Sequence, residues 1–183
     1  MDALDLGRDD VLSDLVRSVG PAKVGAAISK LVSASIGDLA VVFSRSPTHQ
    51  HLCLADLKWM VLPPVVAGQF YIVEAADQST GFRAPVAVVT WAFVSDDLDA
   101  SLRESTARPQ LRPDQWKSGA IGWLIDAAGD AIHLRHAFEW LASEPFRERP
   151  LNIVSQDASN TRCVTTLENL LAEQSEMQIK VGR

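Results

Sequence analysis

Two runs rich in β-branched and aromatic residues, Phe70-Tyr71-Ile72-Val73 and Val86 to Val94, flank the turn-rich segment Asp77 to Pro85. This pattern predicts two strands joined as a hairpin. It narrows the fold more than any other feature, because the neighbouring segments carry a helical rhythm. Upstream, Val11, Leu12, Leu15, Val16 and Val19 recur at helical spacing, and Gly20-Pro21 closes that helix and opens another. The second carries Val24, Ile28, Leu31 and Val32 on its apolar stripe, and residues 1–35 read as an amphipathic helical hairpin. From Ile36 the rhythm continues through Leu39, Ala40, Val42 and Phe43, then breaks at Ser44 to His49.

Downstream, Leu52 to Val66 reads as helix interrupted by Pro63-Pro64, and Ser95 caps a short helix through Arg103. Ala120 to Ile125 is a buried-strand candidate ending at Asp126, Asp130 to Leu141 a helix, Leu151 to Val154 a short strand, and Val164 to Glu176 a helix. The order of helices, hairpin, helix, strand, helix, strand and helix predicts one mixed α/β layer domain. The expected division is a helical extension over 1–35 and a main domain over 36–183.

Composition removes several function classes. At 47% hydrophobic and 22% charged residues, the 183-residue chain has ordinary globular usage. No uninterrupted apolar run reaches the roughly 18–20 residues of a membrane span, and the first ten residues lack a secretory signal pattern. Two cysteines, Cys53 and Cys163, make a disulfide scaffold a poor fit. The expectation is a soluble cytoplasmic domain. Seventeen basic against 23 acidic residues give a net charge of −6, which argues against a nucleic-acid grip. Positive charge gathers locally, with Arg103, Arg108, Arg112, Lys117, Arg135, Arg147 and Arg149 in one stretch. That stretch could face an acidic protein.

Two residues stand out chemically. With Ser46 as N-cap and Pro47 as N1, His49 falls in the first turn of a helix, where the dipole favours a neutral ring able to accept a proton. It could serve as a general base, or be a helix-start residue without a role. Asp126, where a strand emerges from the core, could orient a histidine ring or close the strand as a turn residue. His133 and His136 with Asp130 are too few for an ordinary zinc site. Cys53 could be a thioester-forming nucleophile, but its surroundings, His-Leu-Cys-Leu, favour a buried inert thiol. No phosphate-cradling loop or serine-hydrolase elbow is present.

Several short motifs occur in order: Ser46-Pro47-Thr48-His49, Val61-Leu62-Pro63, Gln69, Pro85-Val86-Ala87, Thr90-Trp91-Ala92, Trp116-Lys117-Ser118-Gly119 and Trp123-Leu124-Ile125-Asp126. On these the chain, from about Ile36 to Pro150, resembles the RTX toxin-activating lysine acyltransferases. The resemblance implies a GNAT-like acyltransferase domain with a mixed, mostly antiparallel sheet flanked by helices. It also implies transfer of a fatty acyl group from acyl carrier protein to internal lysines of an RTX-type protoxin. His49 and Asp126 become the catalytic pair, with His49 as general base or as acyl acceptor. Ser46, Trp91, Ser118 and Gly119 become substrate-binding candidates, and Arg112 and Lys117 candidates for docking the acidic carrier. No tightly bound cofactor or metal is implied, and a homodimer is. An N-acyltransferase of a small amine and a non-catalytic module on the same fold remain alternatives.

Overall fold

The computed structural model describes residues 20–105, 108–156 and 161–173. The chain divides into two compact units, Met1–Gly37 and Asp38–Arg183. The helix expected over 9–19 lies outside the described residues. In the first unit, α1 (Pro21–Arg45) begins at Pro21, where the missing N–H would have had no helical partner anyway. Its small residues and sparse charges bring an 18-residue window to a mean hydropathy of 1.6. The helix is therefore long and apolar enough to cross a membrane by length and composition, a property hidden from a search for unbroken apolar runs.

In the second unit, the last turns of α1 bury Leu39, Val42 and Phe43. The segment after Ser46 corrects the expected helix start: residues 47–51 form turns, held by His49 N–H to the Ser46 carbonyl (2.9 Å) and Leu52 N–H to the His49 carbonyl (3.0 Å). A 3-10 turn (Leu54–Asp56), α2 (Leu57–Met60) and α3 (Leu62–Ala67) follow. Pro63 and Pro64 open α3 instead of interrupting a longer helix, because a first turn needs no N–H from either.

The expected hairpin is present and longer than its most apolar stretches, as β1 (Phe70–Ala76) and β2 (Arg83–Val94). Asp77 organises the connection. One carboxylate oxygen accepts from the backbone N–H groups of Ser79 and Thr80 at 2.9 Å each, and Gly81 supplies the left-handed φ of +69°. The remaining elements are α4 (Asp96–Glu104), a 3-10 turn (Pro113–Gln115), β3 (Ile121–Gly129), α5 (Ala131–Ser143), β4 (Leu151–Gln156), β5 (Arg162–Thr166) and a helix over 167–173. Strand β5 corrects the reading of 164–176 as helix from its start. Val164-Thr165-Thr166 is a β-branched run that pairs antiparallel with β4.

The five strands lie in the order β1-β2-β3-β4-β5. Every pairing is antiparallel except β3 with β4, and α5 makes the crossover that a parallel pair requires. The mixed, mostly antiparallel sheet flanked by helices fits a GNAT-like acyltransferase domain. One core unites Ala87, Val89 and Trp91 of β2 with Ala137 and Leu141 of α5. A second unites Ala92 and Val94 with Leu102, Trp116 and Trp123.

Candidate active site

Asp126 does not end its strand as expected; β3 runs on to Gly129. What places it is a bulge. Thr90 of β2 pairs with Asp126, but Trp91 pairs with Leu124, leaving Ile125 as the extra residue on β3. Side chains alternate faces along a strand, so one extra residue reverses the parity beyond it. Leu124 packs into the α5 core and Ile125 against the second core. Without the bulge, Asp126 would share the face of Leu124.

The carboxylate so aimed meets His49 from the turn after α1. His49 Nε2 lies 3.0 Å from Asp126 Oδ1, with only 2% of the histidine side chain and 9% of the aspartate side chain exposed. On the other ring nitrogen, Nδ1 is 2.7 Å from Ser46 Oγ and 2.9 Å from Thr48 Oγ1. Phe43 backs the ring, with centroids 4.6 Å apart. Ser46 is thus a partner of the imidazole, not a helix cap.

Arg108 completes the arrangement. Its Nη2 donates to Asp126 Oδ2 and approaches His49 Nε2 at 2.6 Å. Arg108 Nη2 has a proton to give and Asp126 Oδ1 has none, so the two contacts suit different states of the ring. An unprotonated Nε2 accepts from Arg108, and a protonated Nε2 donates to Asp126 Oδ1. The hydroxyls of Ser46 and Thr48 can accept from Nδ1 or donate to it accordingly. Chemically, the arrangement is a base with its counter-charge in place. Arg108 and Thr48 were not singled out as site residues from the sequence. Thr48 could have been found from the motif itself; Arg108, 59 positions from His49 in a loop, carries no local signal.

The other candidates sit elsewhere. Trp91 is buried in the α5 core, edge-on to Phe146. Ser118 Oγ accepts from the Ser95 N–H and donates to the Gln115 carbonyl. Gly119 N–H donates to the Phe93 carbonyl, at the end of β2 and roughly 13 Å along the strand from Thr90. Arg112 is exposed and paired with Asp114, and Lys117 is exposed. His133 Nδ1 binds Asp130 at 2.6 Å; Asp130 is the N-cap of α5, and the His133 backbone N–H holds its carboxyl below the usual range. Among the described residues no group of three or more His, Cys, Asp or Glu is placed to hold a metal ion.

Comparison with known proteins places the chain in a family. Residues 29–168 match the family described as HlyC, the RTX toxin acyltransferase family. The chain belongs to that family. Over 93 residues it is 29% identical to the protein-lysine palmitoyltransferase CyaC of Bordetella bronchiseptica, a match covering 51% of this chain and 46% of the relative. Over 116 residues it is 28% identical to the RTX-I toxin-activating lysine-acyltransferase ApxIC of Actinobacillus pleuropneumoniae, covering 61% of this chain and 63% of the relative. The matches thus span between about half and just under two-thirds of these family members.

Proposed function

We propose that the chain is a protein-lysine acyltransferase, moving a fatty acyl group from an acyl carrier protein thioester to the ε-amine of internal lysines in an RTX-type protoxin, in the cytoplasm. The observation that carries this reading is the buried His49–Asp126 pair. An unperturbed lysine amine has a pKa near 10.4 and arrives protonated at neutral pH. His49 Nε2 takes the proton, and Asp126 stabilises the imidazolium so formed. That first proton passes to solvent, leaving the ring neutral. As the amine nitrogen attacks the thioester carbonyl and the C–N bond forms, His49 takes the second proton from nitrogen; the C–S bond breaks, and the carrier's thiolate leaves with that proton. The acceptor's ammonium carries three donors and can satisfy the two acceptors that Arg108 occupies.

The sheet supports a donor site beside this pair. Strands β3 and β4 share only the register pairs Gly122 with Leu151 and Trp123 with Asn152. Beyond them the β3 edge leading to Asp126 has no register partner in β4, and an extended amide-bearing carrier arm can bond to such an edge. Arg112 and Lys117 belong to the docking face for the acidic carrier. Ser46 orients His49, while Trp91, Ser118 and Gly119 support the sheet and loop that carry the site without lining it. Residues 1–35 form an extension to the catalytic domain, and the enzyme acts as a homodimer.

The test is incubation with carrier protein bearing C12–C16 chains and an RTX acceptor. Each modified lysine should gain one acyl mass. His49→Ala should lower the rate at least 100-fold, and Arg112→Glu with Lys117→Glu should raise the KM for the carrier. An unchanged rate in the His49 variant overturns the mechanism.

A further inference from the structure

A cavity of about 330 Å³ opens beside His49. Ala40 and Phe43 from the end of α1, and Leu52, Leu54, Leu57 and Met60 from the segment that follows, make its apolar wall. The polar groups in that wall are already engaged. Ser44 Oγ donates to the Val41 carbonyl at 2.8 Å. Asp56 accepts from the Cys53 N–H at 2.7 Å and the Trp59 indole at 2.9 Å, and these donors hold its carboxyl below the usual range. The ring nitrogens of His49 are turned to Ser46, Thr48, Asp126 and Arg108. The cavity therefore offers mainly apolar surface, its Ser44, Asp56 and His49 side chains being engaged elsewhere. Its size falls at the low end of small-molecule pockets, about 300–1,000 Å³. Leu54 stands at its mouth with 85% of its surface exposed.

We propose that this cavity is the acyl-chain pocket: it takes the saturated hydrocarbon tail of the donor while the thioester carbonyl lies at His49. The proposal rests on the acyltransferase reading and adds to it the group that recognises chain length. An apolar tail is the ligand whose chemistry matches a mainly apolar wall, and the shared His49 makes the pocket continuous with the reacting centre. With roughly 30 Å³ for each methylene, close to the share of a water molecule, the cavity accommodates about eleven carbons. Carbons beyond that number pass over exposed Leu54 and gain little.

Cys53 lines the pocket and is exposed, whereas Cys163 lies on β5 outside it, so the two thiols provide a probe and a control in one chain. The experiment measures alkylation of each thiol by iodoacetamide, read by mass spectrometry. The protecting ligands are pantetheine amides of straight-chain acids from C6 to C16, in which an amide N–H replaces the thioester sulfur and no transfer occurs. Cys53 should be protected and Cys163 should not. The half-protecting concentration should fall roughly fourfold for each added methylene and level off near C12. Ala40→Phe, which fills the cavity, should move the levelling point to shorter chains and raise the C12 half-protecting concentration at least tenfold. Leu57→Ala, which enlarges it, should move that point to longer chains. Equal protection of both thiols, no dependence on chain length, or a levelling point unmoved in both variants overturns the proposal. Chain-length-dependent protection without any acyl transfer by the wild type would sink the acyltransferase reading alone. Transfer that proceeds while Cys53 stays unprotected would sink the pocket alone.

Discussion

In the proposed mechanism His49 Nε2, which faces Arg108 and Asp126, is the base, and Ser46 and Thr48 hold the proton on Nδ1. The two hydroxyls lie 3.0 Å apart, both within reach of Nδ1, so either can accept when the other is missing. Ser46→Ala and Thr48→Ala should each slow transfer less than about fivefold, since one acceptor of ordinary worth remains. The double variant should lose about 100-fold, well beyond the product of the singles. The ¹⁵N shifts of the His49 ring should leave the Nδ1–H tautomer only in that double variant. Strict additivity, or a tautomer unchanged in the double variant, would remove the hydroxyls from this role. The sequence made the Ser46–His49 spacing visible but misread its geometry. The three-residue interval suits an N-cap and its N3 residue, and it equally suits a serine reaching the ring of a turn histidine.

At the scale of elements, the loop before β3 is pinned by contact so close that only glycine fits. A Cβ built on Gly119 would lie 2.3 Å from the Val94 carbonyl oxygen, which is backbone and cannot rotate away. Gly119→Ala should therefore destabilise the protein by about 2–3 kcal/mol, measured by urea denaturation; a change below about 0.5 kcal/mol would show that the loop moves freely. A polar group ties α4 to the strands nearby. Trp123 Nε1 donates to Asp99 Oδ1 at 2.8 Å, Arg103 Nε to Asp99 Oδ2 at 2.9 Å, and Arg103 Nη2 to Asn152 Oδ1 at 3.1 Å. The element boundaries that sequence missed share one cause. Pro63-Pro64 stops one helix or starts another according to where the previous turn ends. Likewise β5 precedes a helix with no glycine or proline between them, so periodicity alone ran the two together.

Across the whole molecule, several carboxylates are held below their usual range by donors that exist only in the folded chain. Asp77 is lowered to about 2, first by the Ser79 hydroxyl and then by the Thr80 N–H. The Arg103 guanidinium lowers Asp99, with help from the Trp123 indole, and the Arg112 guanidinium lowers Asp114. The unfolded chain binds protons near pH 3.9, before the folded one does. The stabilisation these groups confer is complete above that range and is lost as pH falls towards the folded values. Melting temperature should hold steady from pH 7 to about 5 and fall between pH 4 and 2. Asp99→Asn should reduce that acid dependence; an unchanged slope would show that its donors are equally available in the unfolded chain.

What the sequence determined by itself was local. Periodicity marked α1 and α5, the turn-rich stretch marked the hairpin, and short motifs marked His49 and Asp126. Local rules reach that far because helix and strand preferences depend on side chains a few residues apart. The meeting of His49 with Asp126, 77 positions away, depended on the bulge at Ile125. A one-residue change of register reverses a strand's faces without leaving a signature in the strand's composition. Arg108 reached the same pair from a loop, and the cavity beside His49 arose where two segments leave apolar side chains facing each other. Each of these is a relation between distant residues, and only the packed chain fixes their separation.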